Sequence, residues 1–581
     1  MKKDRKIRKK GSEVKNVSFR DFSEDTPLTT HDTQNFIFSN IMEFALIFFG
    51  VLYSLFCFGG YLLDGANVRL SVLNLILFLL PVLLIIGYFS YKKIRIDKNF
   101  RTLFFAILVF MISFTISWII SPSLLPIYAS VDYPHHYILI DYFSDHEAFP
   151  PINYGIGEMV QYPFGASLFT SFISRIFSLP VMNTMGLLVA IISGLLASGV
   201  FLISRELLRK CKIETDLADV TSLVSVFMVF TMPVYFLNQY CSNFYYSMIF
   251  GELLVLLSLL ALMKSESGTG SWMMIFMLIN IGIIYTYTLF IVITFFAFLI
   301  YAILNRDRMP VFSDKKILLT GILVFFLFLI FSIQRLSTGI SILQHEGATV
   351  EFSIFNFNIL FIILVVSGFI LFLKNPSENL KSAFSVYLFV IILTYITFIF
   401  LDHFGLIALY FANKVFYILV LVVSCLAIFP IIFTIRRIQP VRYQKFAAVV
   451  IVSLIGLFSI YSLLTYPIGH HPSVTNDDVI FTKNAETYLH KNNISYNNLS
   501  IISGSLKGYF LALMLHMDKN YAQRNYLSQR TSFNYWLSNP NSSYGIGEMT
   551  NASYPEKFSI NDVQLEIVVR EGQRVLLKKL A

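Results

Sequence analysis

The sequence predicts an all-α polytopic membrane protein with about thirteen transmembrane helices and a small extracytoplasmic α/β domain at its C-terminal end. Three observations lead to this prediction. Of the 581 residues, 56% are hydrophobic and only 14% are charged, which is too apolar for a surface that faces water. Apolar runs recur as far as residue 464, and a helix needs roughly 20 such residues to cross the hydrocarbon. Residues 465–581 are polar instead and contain strand patterns.

The apolar runs define the expected transmembrane helices. The run 272–304 is too long for one helix, so we expect two short helices with a break between Tyr285 and Thr288. The other expected spans are 38–62, 71–91, 102–121, 182–204, 218–237, 245–263, 317–334, 358–373, 383–401, 412–434 and 447–464.

The positions of lysine and arginine predict the orientation of the chain in the membrane. These residues concentrate in the short cytoplasmic loops of membrane proteins. With a cytoplasmic N-terminus, 29 of the 44 lie in the N-terminal tail and the inner loops, and eleven lie in the C-terminal domain. We therefore expect a multi-pass cell-membrane protein whose C-terminal domain is extracytoplasmic. The net charge of +9 then reflects topology, and no nucleic-acid partner is expected.

The chain divides into four segments. A basic cytoplasmic tail covers 1–36, and an N-terminal transmembrane hairpin covers 37–101. The transmembrane core covers 102–464, and the extracytoplasmic domain covers 465–581. The four cysteines are scattered without paired spacing, so neither a disulfide framework nor a thiolate metal site is expected.

The outer loop 122–181 interrupts the run of transmembrane helices. It contains an amphipathic stretch from Tyr137 to Phe143. A second apolar helix is expected to begin after the sequence YPFG at 162–165 and to end near Phe177. We expect both helices to lie along the membrane surface.

The C-terminal segment shows two strand patterns, at 563–569 and 574–578, with a turn at 571–572 between them. The hexapeptide YGIGEM occurs twice, at 154–159 and at 544–549. Because each copy has two glycines in six residues, we expect a tight turn in each. No physical reason for the duplication follows from the sequence.

Asp132 is the candidate catalytic residue. It follows a transmembrane helix by about ten residues, which would hold its carboxylate near the outer membrane surface. A carboxylate there could accept a proton from a hydroxyl group of a substrate. Pro134 suits a first helical turn, so Asp132 also fits the role of a helix N-cap, and the two roles are compatible.

His135 and His136 follow in the same loop and are candidate substrate-binding residues. They could hydrogen-bond a phosphate, or bind a metal together with Asp132. Adjacent side chains on a helix point about 100° apart, so we do not expect both to ligate one ion. A structural or interfacial role is the favoured alternative for both histidines.

A second set of candidates lies at the outer end of the span 412–434. Tyr410, Lys414 and Tyr417 have helical spacing, which aligns them on one face. The lysine could hold the phosphate of a polyprenyl-phosphate donor while the tyrosines pack on its isoprenoid or sugar. The alternative is a lysine that snorkels to the lipid head groups within an aromatic belt. Candidates to complete a phosphate or sugar pocket, from neighbouring outer loops, are Arg335, His345, Glu346, Asp402 and His403. For each of them taken alone, a solvated loop residue is the favoured alternative.

Glu252 is a further candidate because it lies inside an apolar helix. An ionisable group there is costly and usually faces an interior cavity. We weigh a role in substrate or proton handling against simple pairing with a neighbouring helix.

The order of these features resembles the membrane-embedded glycosyltransferase C superfamily. The matching sequences are DYPHH at 132–136, an amphipathic helix, FPP at 149–151, QYPFG at 161–165 and YFANK at 410–414. The resemblance covers about 102–465. It implies an inverting glycosyltransferase that uses a polyprenyl-phosphate-linked sugar, in which Asp132 is the general base and Lys414 contacts the donor phosphate.

The resemblance does not identify the acceptor, which could be a glycan, a lipid or a protein. Membrane lipid is a further expected partner. The first loop lacks the paired acidic residues of several members, so the resemblance does not decide whether a divalent cation is a cofactor. Outer lysine, arginine and histidine residues could stabilise a leaving phosphate without a metal.

Two other functions compete with sugar transfer. A glycan ligase or polymerase would use a lipid diphosphate donor and depend on Arg335 and His345. A transporter or flippase would carry polar or broken helices at the midplane, of which Glu252 and the break near Tyr285 are the few examples here.

Overall fold

A computed structural model gives the structure of the chain. It describes residues 36–90, 94–120, 132–151, 159–160, 162–230, 232, 245–266, 270–305, 315–334, 359–374, 381–440, 442–465, 476–495, 498–502, 533–549 and 555–580.

Up to residue 465, the described elements are helices apart from two short strands, β1 (Phe36–Phe38) and β2 (Ile94–Ile96), which pair in parallel. The helices begin with α1 (Ile41–Gly65), α2 (Val72–Ser90), α3 (Phe100–Ile120), α4 (Asp132–His146), α5 (Gly165–Phe177), α6 (Val181–Lys210), α7 (Thr215–Phe230) and α8 (Tyr246–Ser265). They continue with α9 (Gly270–Thr286), α10 (Leu289–Leu304), α11 (Lys315–Gln334), α12 (Ile359–Leu373), α13 (Ala383–His403), α14 (Leu409–Ser424), α15 (Ile428–Arg436) and α16 (Arg442–Thr465).

These helices confirm the predicted helical, polytopic fold. Every predicted span coincides with a described helix, and the long apolar run divides into α9 and α10 around Tyr287, as expected. The last span but one bends through a short 3₁₀ turn, Cys425–Ala427, between α14 and α15. Within the described ranges, seven helices are long and apolar enough to cross a membrane, and five further apolar helices are shorter.

The helix α8 lies at the centre of the bundle, with every residue from Tyr246 to Lys264 buried. The outer helices expose large apolar side chains such as Leu319 on α11 and Leu454 on α16. An apolar exterior around a fully packed interior is expected where the solvent is lipid, because lipid tails leave no penalty for exposing leucine.

Buried ion pairs mark one end of the bundle, which we call the ion-pair end. The Lys264 Nζ at the end of α8 lies 2.8 Å from Glu43 Oε1 of α1 and 3.6 Å from Glu206 Oε2 of α6. Nearby, Arg205 Nε lies 2.6 Å from Asp219 Oδ1. Because α1 begins there and α8 ends there, the opposite end of the bundle contains the end of α1 and the beginning of α8.

The C-terminal segment forms a five-stranded sheet with helices on both faces. Its helices are α17 (Asn476–Lys491) and α18 (Phe533–Ser538), and its strands are β3 (Leu499–Ile501), β4 (Tyr544–Glu548), β5 (Lys557–Ile560), β6 (Val563–Glu571) and β7 (Arg574–Lys579), in the order β3-β4-β7-β6-β5. The helix α17 packs against β6 and β7. The indole of Trp536 packs with Val575 and Leu577 in a second apolar cluster. The predicted hairpin of β6 and β7 is confirmed.

The second copy of YGIGEM is the strand β4, so the predicted tight turn is wrong there. Its glycines allow neighbouring side chains to lie close to the strand backbone. A Cβ atom at Gly545 would lie 2.8 Å from Trp536 Cε2, and one at Gly547 would lie 3.2 Å from Ile502 Cβ. The first copy lies mostly outside the described residues; its last residue, Met159, is buried.

Candidate functional site

Lys414 lies in a cage of tyrosines at the end of the bundle opposite the ion pairs. Its side chain is buried, with 5% of the residue exposed. The Nζ atom lies 3.9 Å from the ring centroid of Tyr410, 4.9 Å from that of Tyr245 and 5.4 Å from that of Tyr287. We call these three residues the tyrosine cage. Ring faces carry partial negative charge, so they stabilise an ammonium group that burial removes from water.

Three separate segments build the tyrosine cage. Tyr410 belongs to α14, one turn before Lys414, whereas Tyr245 directly precedes α8 and Tyr287 occupies the break between α9 and α10. A glycine permits this approach, because a Cβ atom at Gly251 would lie 2.8 Å from Tyr287 Cβ. The predicted helix break therefore places a side chain of the site.

The ring of His136 lies beside the cage and is buried, with 4% of the residue exposed. Its centroid lies 5.3 Å from that of Tyr162 and 5.7 Å from that of Tyr246. Burial, and then the nearby charge of Lys414, lower the pKa of His136 to about 3. The imidazole is therefore neutral at physiological pH, and α4 lies close enough to Lys414 to feel its charge.

The helices α4 and α5 pack side by side in the same direction. Ser144 Oγ donates a hydrogen bond to Ser171 Oγ at 3.0 Å, and Arg175 Nη1 lies 2.8 Å from Glu147 Oε1. His136 contacts Tyr162 at the other end of the pair. Residues later in α4 contact residues later in the second segment, so the two helices are parallel. Both begin near the tyrosine cage. Both bury most of their apolar residues in the protein, whereas Ile176 and Phe177 at the end of α5 are exposed.

A clasp of three residues, Leu70, Glu147 and Arg175, holds the far ends of these helices. The Leu70 N–H donates to the Glu147 carbonyl at 2.6 Å, and Arg175 Nη2 donates to the Leu70 carbonyl at 2.8 Å. Glu147 has a left-handed backbone, with φ of 51°, which ends α4. The clasp thereby ties α4 and α5 to the turn between α1 and α2.

We expect Arg175→Met to lower stability by about 1.5 to 3 kcal/mol, because it removes two hydrogen bonds that involve a charged, partly buried group. The measurement is thermal unfolding in detergent. Glu147→Gln is the matched control, since its amide oxygen still accepts from Arg175 and we expect a smaller loss. Equal losses in the two variants would show that the clasp does not act through Arg175.

Glu252 is fully buried in α8, as the sequence analysis expected of an interior position. It follows Tyr245 by seven residues, so it lies on the same face of the helix about 10 Å from the cage towards the ion-pair end. Its role in substrate or proton handling stays a prediction.

The other predicted residues differ in how the structure places them. Asp132 and His135 lie in the first turn of α4, and their side chains are outside the described part of the structure. Asp402 and His403 lie at the end of α13, where His403 is exposed and its ring contacts Phe404. The contacts that define the cage do not include these two residues. Arg335, His345 and Glu346 lie outside the described residues.

Lys414, Tyr410, Tyr417 and His136 were candidates from the sequence, whereas four aromatic residues of the site were not among the candidates. The ring of Tyr417 lies 5.8 Å from that of Tyr245. The missed residues are Tyr162, Tyr245, Tyr246 and Tyr287. A signal existed for Tyr287, which stands in the predicted helix break.

A metal site does not emerge from the described side chains. Within the described ranges, no group of three or more histidine, cysteine, aspartate or glutamate residues could hold a metal ion. The use of a divalent cation stays a prediction.

No protein-family model matches the sequence, and neither does any curated protein. The structure is similar to two crystal structures of ArnT from Cupriavidus metallidurans, one bound to undecaprenyl phosphate and one in the apo state. The first match has a TM-score of 0.49 at 10% identity and covers 82% of this chain and 98% of that chain. The second has a TM-score of 0.47 at 11% identity and covers 81% and 97%. At such identity the likeness concerns the fold alone.

Proposed function

We propose that this chain is a membrane glycosyltransferase that transfers a sugar from a polyprenyl-phosphate donor to an acceptor at the outer face of the cell membrane. One observation carries the proposal: the buried ammonium group of Lys414 lies in a tyrosine cage beside the beginning of α4. The acceptor is a glycan, a lipid or a protein.

The surroundings of Lys414 suit a lipid phosphate. An ammonium group in a site shielded from water attracts a phosphate more strongly than one in bulk solvent. The rings of Tyr245 and Tyr410 offer an apolar surface to an isoprenoid or a sugar ring. A lysine that snorkels keeps its ammonium group in the polar interface, whereas Lys414 is buried among rings, which favours the binding role.

Lys414 would also act in the chemical step. When the bond between the anomeric carbon and the phosphate oxygen breaks, negative charge develops on the leaving polyprenyl phosphate. A cation already in place stabilises that charge without further rearrangement, which lowers the barrier. This role needs no metal and does not exclude one.

Asp132 is proposed as the general base. The acceptor hydroxyl would attack the anomeric carbon from the face opposite the phosphate while its proton passes to the carboxylate, which gives inversion. The backbone of Asp132 begins α4, one turn before His136, and so lies at the same end of the bundle as Lys414. The acceptor and the polyprenyl phosphate then leave as a glycoside and a free lipid phosphate.

The charge of the empty cage at physiological pH favours a monophosphate donor over the diphosphate donor of a glycan ligase. A phosphodiester-linked sugar carries one negative charge, which the single charge of Lys414 can balance. A diphosphate carries more, and among the described residues of the cage Lys414 is the cation that is present before a phosphate binds.

The test is the affinity for farnesyl phosphate, measured by equilibrium binding in detergent. We expect Lys414→Met to weaken this affinity about 10- to 100-fold, the size of a lost charge-assisted hydrogen bond. Tyr410→Phe is the matched control, since it keeps the ring against Lys414, and we expect a smaller loss.

Unchanged affinity in Lys414→Met would contradict the proposal. So would transport of a labelled lipid-linked sugar across vesicles by the unaltered protein without any covalent product, because that result identifies a transporter.

A further inference from the structure

We propose that His136 is a second phosphate ligand of the tyrosine cage and takes up a proton when the phosphate binds, so that the cage binds anions more tightly as the pH falls. This inference rests on the proposed binding of a lipid phosphate at Lys414. Phosphate binding is then coupled to the uptake of a proton, and His136 is the residue that takes it up.

One buried polar atom of His136 has no hydrogen-bond partner. The Nδ1 atom of His136 is buried and has no hydrogen-bond partner among the described residues. Leaving a buried polar atom without a partner costs about 1 to 3 kcal/mol, so such atoms are rare and call for an explanation. A bound ligand that accepts or donates a hydrogen bond there removes this cost.

Three described residues from other elements act on the ring of His136. The rings of Tyr246 from α8 and Tyr162 from the segment before α5 contact it, and the charge of Lys414 from α14 acts on it. Lys414 is the charged member of this set. On α4 itself, Asp132 lies one turn earlier, and its side chain is outside the described structure.

These neighbours also fix the ring. The Tyr246 hydroxyl shares a hydrogen bond of 2.5 Å with Thr170 Oγ1 on α5, which holds the tyrosine against His136. A ring held between two tyrosines loses little conformational entropy when a ligand binds, so little of its favourable contribution to the binding free energy is lost.

The direction of the pH effect follows from linkage. In the empty site, burial and the charge of Lys414 keep the pKa of His136 at about 3. A phosphate bound at Lys414 brings negative charge to the ring, which raises the pKa of His136 in the complex. The protonated form then binds the anion better than the neutral form does. Affinity is therefore constant above the pKa in the complex and rises as the pH falls below it.

The probe must not titrate in the same range. A phosphate monoester loses its second proton at about pH 6, so its own ionisation would mask the effect. Methyl farnesyl phosphate is a phosphodiester and keeps one negative charge. Its affinity for the full chain is to be measured in a non-ionic detergent from about pH 8 to about pH 5, where a change of up to tenfold for each pH unit is the limit for one proton.

We expect the unaltered protein to bind this probe at least about threefold more tightly at pH 5 than at pH 8, well within the limit for one proton. His136→Gln keeps hydrogen-bonding groups but cannot take up the proton, so its affinity should not change with pH. His490→Gln is the matched control, because His490 is exposed on α17 and the pH dependence should remain.

Calorimetry on the unaltered protein provides a test that needs no variant. Heats of binding measured in buffers of different ionisation enthalpy give the number of protons taken up. We expect a value between zero and one that increases as the pH falls, and no uptake across the range would overturn the inference.

The outcomes separate this inference from the proposed function. If Lys414→Met binds the probe as tightly as the unaltered protein, the proposed phosphate site itself is wrong. If Lys414→Met binds weakly but His136→Gln keeps the full pH dependence, the phosphate site stands and the role of His136 is overturned.

Discussion

An Asp132→Asn variant is expected to fold and to insert into the membrane while it transfers sugar about 10² to 10⁴ times more slowly, the usual size for a lost general base. Asparagine has the shape of aspartate and still caps a helix, so α4 should form as before. The amide cannot accept the proton of the acceptor hydroxyl. The measurement is the rate of product formation with a radiolabelled polyprenyl-phosphate sugar at saturating donor.

The matched control for this prediction is Asp145→Asn. Asp145 lies on the same helix but is exposed near its far end, so the same chemical change there should leave the rate unaltered. An Asp132→Asn enzyme that turns over at the normal rate would remove this residue from the mechanism. The proposed phosphate site at Lys414 would not be affected by that result, since it rests on other contacts.

A Gly368→Ala variant is expected to lose about 3 kcal/mol or more of stability, at the upper end of the usual cost of overpacking. Gly368 of α12 lies against the 3₁₀ turn between α14 and α15. A Cβ atom there would overlap the carbonyl oxygen of Leu426 and lie 2.7 Å from its carbonyl carbon. Because the obstacle is backbone, no side chain can rotate away, and α12 has to move as a whole.

Thermal unfolding in detergent measures this loss. The control is Gly87→Ala on α2, where a Cβ atom would have no neighbour within 4 Å. We expect that variant to be as stable as the original or slightly more stable, because alanine favours a helix by about 1 kcal/mol relative to glycine. Equal unfolding temperatures for the two variants would contradict the close contact.

The transmembrane part of the fold was predictable because one physical requirement governs it. Each crossing needs a long apolar run, and the run 272–304 exceeds one crossing, so the break that places Tyr287 followed from length alone. The bend at Cys425–Ala427 has a local cause that the sequence analysis did not use. Pro430 in α15 has no N–H to donate to the carbonyl of Leu426, so the regular helix is interrupted in that turn. The packing of α12 against the turn is a tertiary contact that the sequence does not indicate.

The candidate site was predictable where its residues share one helix. Tyr410 and Lys414 are one turn apart, so their spacing alone indicated a common face. Tyr245 and Tyr287 come from other segments, and nothing in their local sequence specifies that both reach Lys414. The approach of Tyr287 depends on Gly251, because a side chain there would overlap Tyr287 and Phe290. The sequence around Gly251 does not show that these residues pack against it.

The YGIGEM motif shows a limit of local sequence patterns. Two close glycines are typical of a turn because glycine adopts backbone angles that other residues avoid. In β4, Gly545 and Gly547 have another purpose, since they leave room for Trp536 and Ile502. A glycine required for its backbone angles and a glycine required for its small size look the same in a sequence. Only the neighbouring residues in the structure show which property is used.

The parallel packing of α4 and α5 has an electrostatic consequence. Peptide dipoles give the first turn of a helix a partial positive charge of about half an elementary charge. Two antiparallel helices would cancel this effect, whereas here the two positive poles lie at the same end of the pair. An anion bound beside the first turns of α4 and α5 would therefore meet a positive field that comes from backbone amides, which no change of pH can remove.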